Sequence, residues 1–305
     1  MRILVTGGAG FQGSHLAERL LRSGHSVTIL NTHSEESERN LKAVAGDVTA
    51  VWGSVTDPEI VDKTVRNQDV VFHMAARINV DESIHHPGSY LQTNVIGTFN
   101  VLEAVRKEGV RLIYSSSCEV YGATQGQAVQ ENSALNPYSP YAASKAAADR
   151  LCYAYSRTYA VNVTIVRPTN IYGPRQKAGK GGAVIPIFVQ QALSRKPMVI
   201  FGTGQQRREY LHVEDLASAY ELVLENSSLA GEVINFGSGE TPSIKEIAEF
   251  ISNELGSTIE FGPARPGEVA GFLLDSTKST CIGFRPKVPF WEGMKRYIDW
   301  AKGAL

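Results

Sequence analysis

Few folds can use a turn as rich in glycine as Gly7-Gly8-Ala9-Gly10-Phe11-Gln12-Gly13, set between a short apolar run, Ile3 to Thr6, and an amphipathic stretch, Gln12 to Arg22. Strand, glycine turn and helix in immediate succession form the opening unit of a parallel sheet. Its turn offers backbone N–H groups to a pyrophosphate at the positive end of a helix. Gly7, Gly10 and Gly13 permit the tight turn and the close approach, and Phe11 and Gln12 complete the cofactor-facing loop. The expected ligand is a dinucleotide.

The pattern then repeats. Strand-like runs at Ser26–Leu30, Val48–Gly53, Val70–Met74, Arg111–Ser115 and Val163–Arg167 alternate with helical spacing at Pro58–Arg66, Gly88–Lys107 and Pro140–Tyr159. A doubly wound parallel sheet covered on both faces requires that order. After Arg167 a Gly/Pro-rich passage, Pro168–Gly182, breaks the regularity, while Glu214–Glu225 and Glu232–Phe236 read as a return to the main sheet. The fold class is therefore α/β. A Rossmann doubly wound parallel sheet is expected over residues 1–167 and 209–237, and a smaller, discontinuous C-terminal substrate lobe over residues 168–208 and 238–305.

A formal net charge of −1 gives no field for nucleic acid, so none is expected as a partner and any phosphate must be gripped locally. No apolar stretch approaches the roughly 18 residues of a membrane span. Cys118, Cys152 and Cys281 are odd in number and lack metal-ligand spacing, which argues against disulfides and against a zinc site. With no cleavable leader read at the N-terminus, the expected location is cytoplasmic. At the end of the second strand, where an acid usually meets the adenosine ribose, stands Asn31. Its amide can bond a ribose hydroxyl but does not repel a 2′-phosphate, and Arg39 could approach from the following loop. NAD is the expected cofactor.

Tyr141 and Lys145 stand four apart at the start of a predicted helix, and of the 12 tyrosines only this one has lysine at that offset. The pair shares one helix face. Opposite it should lie the end of the fifth strand, Tyr114-Ser115-Ser116-Ser117-Cys118-Glu119-Val120-Tyr121-Gly122, at the sheet edge where α/β proteins bind ligands. A phenol is a poor base at neutral pH unless a cation favours its ionised form. Lys145 would supply that cation, Ser117 a hydrogen bond, and Tyr141 would accept a proton as hydride leaves.

These segments resemble the extended short-chain dehydrogenase/reductase family, and within it the nucleotide-sugar epimerases and dehydratases. The resemblance spans nearly the whole chain. It includes Phe72-His73-Met74-Ala75-Ala76, Thr93-Asn94-Val95-Ile96-Gly97-Thr98, Arg167-Pro168-Thr169-Asn170-Ile171-Tyr172-Gly173-Pro174, Arg207-Arg208-Glu209-Tyr210-Leu211-His212-Val213-Glu214-Asp215 and Ala264-Arg265-Pro266-Gly267-Glu268. It implies a nucleotide-diphosphate sugar as substrate, with a UDP-sugar favoured. By likeness Ser54 and Val55 lie at the adenine, Ala75 and Ala76 pass beside the cofactor, and Asn170, Arg208 and Arg265 hold the substrate diphosphate. Two positions depart from the family pattern: Gln12 replaces an aliphatic residue, and Ser54 replaces an adenine-contacting acid. A homodimer is implied, pairing the helices around Gly88–Lys107 and Pro140–Tyr159.

The reaction turns on the two residues after Ser117. Removing hydride from C4 makes a ketone and acidifies the C5 proton beside it, so a base there changes the outcome. The similar 4-epimerases carry small or neutral residues at these two positions, and the similar 4,6-dehydratases carry an acid and a Glu. Here the pair is Cys118-Glu119. Glu119 matches the dehydratase base, with a structural carboxylate as its alternative; Cys118 replaces the acid and could donate a proton or serve as a small buried hydrophobe. The resemblance extends to 5,6-dehydratases of antibiotic biosynthesis. The expectation is loss of water across C5 and C6 of UDP-N-acetylglucosamine through a transient 4-keto sugar. A 4-epimerase and a 4,6-dehydratase remain the alternatives.

Overall fold

The apolar runs that form Arg2–Thr6, Val70–His73, Arg111–Ser115 and Val163–Pro168 become almost wholly buried strands, because a parallel strand covered by helices on both faces has no polar face to present, whereas Val48–Trp52 at the sheet edge stays partly exposed. The computed structural model describes residues 1–123, 127–179, 183–264, 271 and 273–304. Its strands are β1 (Arg2–Thr6), β2 (Ser26–Asn31), β3 (Val48–Trp52), β4 (Val70–His73), β5 (Arg111–Ser115), β6 (Val163–Pro168), β7 (Asn170–Tyr172), β8 (Met198–Phe201), β9 (Tyr210–His212), β10 (Val233–Phe236) and β11 (Ile259–Gly262). Seven of them form one parallel sheet in the order β10-β6-β5-β4-β1-β2-β3. Chain progression reverses between β1 and β4. Connections leave in opposite directions there and open a crevice at the carboxyl ends, where the glycine turn emerges.

Alternate residues of the strands feed two cores. Ile3, Val5, Phe72 and Ile113 pack beneath Leu16 and Leu216 on one face. Leu4, Val71, Leu112 and Tyr114 pack beneath Val105 and Cys152 on the other, which accounts for Cys152 as a core residue. A third core joins β8 to the helices Val184–Leu193, Ile244–Leu255 and Phe290–Ala304. Two short parallel pairs, β8 with β11 and β7 with β9, stand apart from the main sheet.

As the sequence implies, Glu232–Phe236 returns to the main sheet, as its seventh strand β10. Elsewhere the structure adds to or departs from the sequence expectations. Glu214–Glu225 belongs to a helix, Val213–Glu225, which lies against the glycine-turn helix rather than within the sheet. An extra helix, Glu35–Leu41, is capped by Ser34, whose hydroxyl accepts the Ser37 N–H. The single helix expected over Gly88–Lys107 is three pieces: Pro87–Tyr90, a wide π turn at Leu91–Ile96, and Gly97–Glu108. That turn carries Asn94, whose amide accepts the Arg77 N–H at 2.8 Å and donates to Arg77 O at 3.0 Å and Ser144 Oγ at 2.8 Å.

Candidate active site

At the first turn, Gly7 has φ +72°, and its N–H donates to Leu30 O at 2.8 Å. A Cβ on Gly7 would lie 2.8 Å from Ala75 N, and one on Gly13 2.2 Å from Gly7 O. Only glycine fits either place. The helix Phe11–Arg22 that follows has neither a side-chain cap nor an acid in its first turn. Its positive end therefore faces the crevice, ready for an anion. A cradle that excludes side chains, next to an uncapped helix start, fits a dinucleotide pyrophosphate.

Asn31, expected from the sequence at the ribose, is engaged within the protein. Its Oδ1 accepts the Ala9 N–H at 3.3 Å, while Nδ2 donates to Thr32 O at 2.8 Å and Ser37 Oγ at 3.2 Å. Asn40, unremarked in the sequence, donates to Ala9 O at 3.0 Å from a buried position. Two amides thus hold the glycine turn through one residue. Ser54 is engaged with Thr56, Oγ to Oγ1 at 2.8 Å. Val55 is fixed from the neighbouring helix by Asn100, which donates to Val55 O at 3.0 Å. Ala75 N donates to Thr6 Oγ1 at 3.2 Å, and His73 bridges Thr6 Oγ1 at 2.7 Å and Thr98 Oγ1 at 2.9 Å. Burial, then the nearby Lys145 charge, lowers the His73 pKa to about 3, so it is a neutral strut.

The strand end and the helix Pro140–Tyr159 meet as the sequence implies. Ser139 caps that helix, with Pro140 in its first turn. The Tyr141 N–H is taken up by Ser83 Oγ at 3.1 Å, and the Tyr90 ring stands edge-on at 6.5 Å. Burial raises the Tyr141 pKa and a hydrogen bond to Ser117 opposes it, with the Glu119 charge adding to the rise. Lys145 Nζ donates to Ser115 O at 2.6 Å and lies 4.5 Å from the Tyr114 ring centre. Burial lowers its pKa to about 8, partly offset by Cys152 and Asp149.

Ser117 opens the short 3₁₀ turn Cys118–Tyr121, its Oγ accepting the Glu119 N–H at 3.2 Å. This cap turns Cys118 inward and Glu119 outward. Cys118 packs with Val120, Tyr121, Val129, Ala146 and Leu274, and burial holds its thiol pKa well above the ordinary value. Glu119 is reached by solvent, yet desolvation by the walls around it raises its pKa while the Arg208 charge pulls it down. The carboxylate is thus solvent-accessible while its neighbours favour its neutral form. Arg208 comes from the segment before β9, far along the chain, and its Nη1 donates to Arg207 O at 2.8 Å.

Asn170 Nδ2 donates to Glu209 O at 3.0 Å, which ties β7 to β9. Arg265 lies outside the described residues. Among the described residues no cluster of His, Cys, Asp and Glu could hold a metal, and no helix is long and apolar enough to cross a membrane. A cavity of about 800 Å³ lined by Arg22, His25, Thr28 and Asp47 lies at the amino ends of β2 and β3, the opposite edge from Tyr141. Sequence reasoning missed Asn94, Ser83 and the buried pair Arg167–Asp149. The last had a signal: a cation at the end of an apolar strand needs a partner.

Residues 3–237 match the model of the NAD dependent epimerase/dehydratase family. The chain is 38% identical to a dTDP-glucose 4,6-dehydratase of Streptomyces niveus over 98% of this chain and 92% of that protein. It is 35% identical to a putative UDP-glucose 4-epimerase of Methanocaldococcus jannaschii over 98% of both. Among solved structures, the dTDP-glucose 4,6-dehydratase DesIV of Streptomyces venezuelae, with NAD bound, superposes with a TM-score of 0.93 at 34% identity, over 99% of this chain and 97% of that one. Both activities are thus represented at similar distance, and overall likeness does not choose between them.

Proposed function

The chain belongs to the NAD-dependent epimerase/dehydratase family, and we propose that within it this protein is a dehydratase that removes water across C5 and C6 of UDP-N-acetylglucosamine. The observation that carries this reading is Glu119: a solvent-accessible carboxylate two residues after Ser117, on the turn that Ser117 caps, and close enough to Tyr141 for its charge to act on the phenol. An epimerase has no use for a base there.

NAD, when bound at the glycine turn, supplies the acceptor and later the donor of hydride at C4. The residues of the chain do the rest. Tyr141 takes the C4 hydroxyl proton, aided by the Ser117 hydrogen bond, and Lys145 provides positive charge near the sheet edge. Glu119 takes the C5 proton, acidified by the new ketone. The C6–O bond breaks and its oxygen leaves as water, taking the proton that Glu119 has just removed from C5; Cys118, the donor expected from the sequence, packs inward among apolar side chains and does not face this step. Tyr141 returns its proton to O4 as hydride returns to C4, leaving a 5,6-ene sugar. Asn170, Arg208 and Arg265 are the proposed diphosphate contacts, the Arg guanidinium forks matching phosphate oxygens. Residues 168–208 and 238–305 are the proposed substrate lobe.

A 4-epimerase is the second reading, favoured by the apolar packing of Cys118 where a 4,6-dehydratase would place an acid. Incubating UDP-glucose and UDP-N-acetylglucosamine separately with enzyme and NAD in heavy water decides it by NMR. For the dehydratase, product should have lost both the C6 oxygen and the C5 hydrogen, and substrate recovered during turnover should carry deuterium at C5; an inverted C4 with C5 hydrogen and 6-hydroxyl intact establishes the epimerase instead.

The charged groups fix a pH window. Glu119 acts ionised, so C5 exchange rises as pH climbs through its raised pKa; Lys145 acts charged, so exchange falls as pH passes about 8. Arg208→Ala removes the charge that lowers the Glu119 pKa. Its acid limb should therefore move to higher pH, and an acid limb that stays or moves down would contradict the assignment.

Cofactor choice follows from Asn31. NAD should bind more tightly than NADP, and Asn31→Asp should widen the gap about tenfold by placing a negative charge near the 2′-position. Calorimetry with both dinucleotides measures it; a tenfold wild-type preference for NADP would reverse the assignment. The protein is proposed to act in the cytoplasm as a homodimer. Leu91, Ile96 and Phe99 are 52%, 43% and 42% exposed along one helical run, and Tyr153 and Tyr159 are 38% and 54% exposed on the adjacent helix. Light scattering at micromolar concentration should give twice the chain mass.

A further inference from the structure

Beneath the strand end that carries Ser115, Ser116 and Ser117 lies an ion pair that the proposed chemistry does not use. Arg167, in β6, is 1% exposed and Asp149 is 0% exposed. Arg167 Nε donates to Asp149 Oδ2 at 2.8 Å and Nη2 to Oδ1 at 2.9 Å, a two-pronged contact. The third nitrogen, Nη1, donates to Tyr121 Oη at 2.8 Å and to Glu131 O at 3.0 Å. Tyr121 Oη in turn donates to Asn235 Oδ1 at 2.7 Å, and Ser116 Oγ donates to Asp149 Oδ2 at 2.7 Å.

The two ends of this chain of bonds lead to different parts of the reacting cluster. Asp149 follows Lys145 by four residues and Tyr141 by eight on one helix, so the three share a face. Tyr121 closes the 3₁₀ turn that carries Glu119. A buried ion pair adds little net stability, since desolvation offsets its attraction, and apolar side chains of similar volume would fill the space as well. What the pair adds is direction. Five N–H groups in a rigid fork fix orientation where packing alone fixes only distance.

We propose that Arg167 is a positioning residue, whose guanidinium locks the helix bearing Tyr141 and the turn bearing Glu119 in one register so that both act on the same bound sugar. The proposal rests on the proposed catalytic roles of Tyr141 and Glu119. Removal of hydride at C4 needs only the helix and Ser117, which Lys145 ties to the strand independently. Deprotonation at C5 also needs the turn.

Tyr121→Phe tests this, because it keeps the ring and the ion pair and deletes only the hydroxyl. With NAD and UDP-N-acetylglucosamine, or UDP-glucose where that is the one turned over, the transient of reduced nicotinamide should keep its wild-type rate and KM should be unchanged. C5 exchange in heavy water should slow about tenfold or more. Arg167→Lys, which keeps charge but not the fork, should show the same selective loss. Equal slowing of both steps, slowing of neither, or wild-type exchange in Arg167→Lys would overturn the positioning role. Glu119→Gln runs in parallel. If exchange persists there, the assignment of Glu119 fails and takes this proposal with it; if exchange stops there but is untouched in Tyr121→Phe, only the positioning role falls.

Discussion

Tyr141→Phe is expected to slow the formation of reduced nicotinamide from a bound sugar nucleotide by about 10²–10⁴-fold, the usual contribution of a placed acid–base group. The fold should not change. The helix start is held by the Tyr141 N–H on Ser83 Oγ and by the Ser139 cap, neither of which involves the phenol oxygen. Affinity for NAD should also persist, because the cradle is built from Gly7, Gly13, Asn31 and Asn40 on other elements. The chemical reason is local. C4 cannot release hydride to a carbonyl product unless its hydroxyl proton leaves, and Tyr141 is the group proposed to take it. Rapid-mixing absorbance checks this, and a rate within twofold of wild type would remove the phenol from the reaction.

Arg167→Ala should be more destabilising than any of the other substitutions. It leaves the buried Asp149 carboxylate with only the half-exposed Arg150 and the Ser116 hydroxyl, a loss of about 3 kcal/mol. For a chain of this size that lowers Tm by roughly 5 °C. The sign of the pH dependence is distinctive. Burial raises the Asp149 pKa, but Arg167, with Arg150 and Ser116, outweighs it, and the folded value lies below the ordinary 3.8. In the wild type this group therefore stabilises above pH 3.8 and loses that contribution as pH falls through its folded pKa. Without Arg167 burial prevails and the pKa rises, so the defect is largest at neutral pH and shrinks as acid neutralises the carboxyl. Melting curves from pH 7 downward should show the gap between the two proteins narrowing; a gap that is constant or widens would mean that the Asp149 carboxylate is not the source of the defect.

How much could be read from the sequence depended on the range of the signal. The strands and the glycine turn were legible because their information is local: β-branched runs of five or six residues, and glycines where any Cβ would strike Gly7 O or Ala75 N. The Ser117, Tyr141 and Lys145 set was legible through helical spacing and the rule that ligands meet parallel sheets at their carboxyl edge. Glu119 was singled out from its place after Ser117, but not its electrostatics, since the Arg208 charge that acts on it comes from a distant segment. The π turn at Leu91–Ile96 was hidden because its cause, Asn94 reaching Arg77 and Ser144, joins three separated segments. Asn31 was read as a ribose contact only; its clasp on Ala9 depends on how closely β2 passes the turn, which no residue pattern states. The helix Glu35–Leu41 did leave a local trace, a capping Ser34 followed by acids.

The central claim is that one carboxylate, Glu119, converts a transient 4-keto sugar from an epimerisation intermediate into a substrate for water loss. The most direct measurement follows C5 deuterium and reduced nicotinamide together for wild type and Glu119→Gln in heavy water with UDP-N-acetylglucosamine. The variant should still reduce the nicotinamide but place no label at C5 and release no water. Full C5 labelling by the variant would contradict the claim.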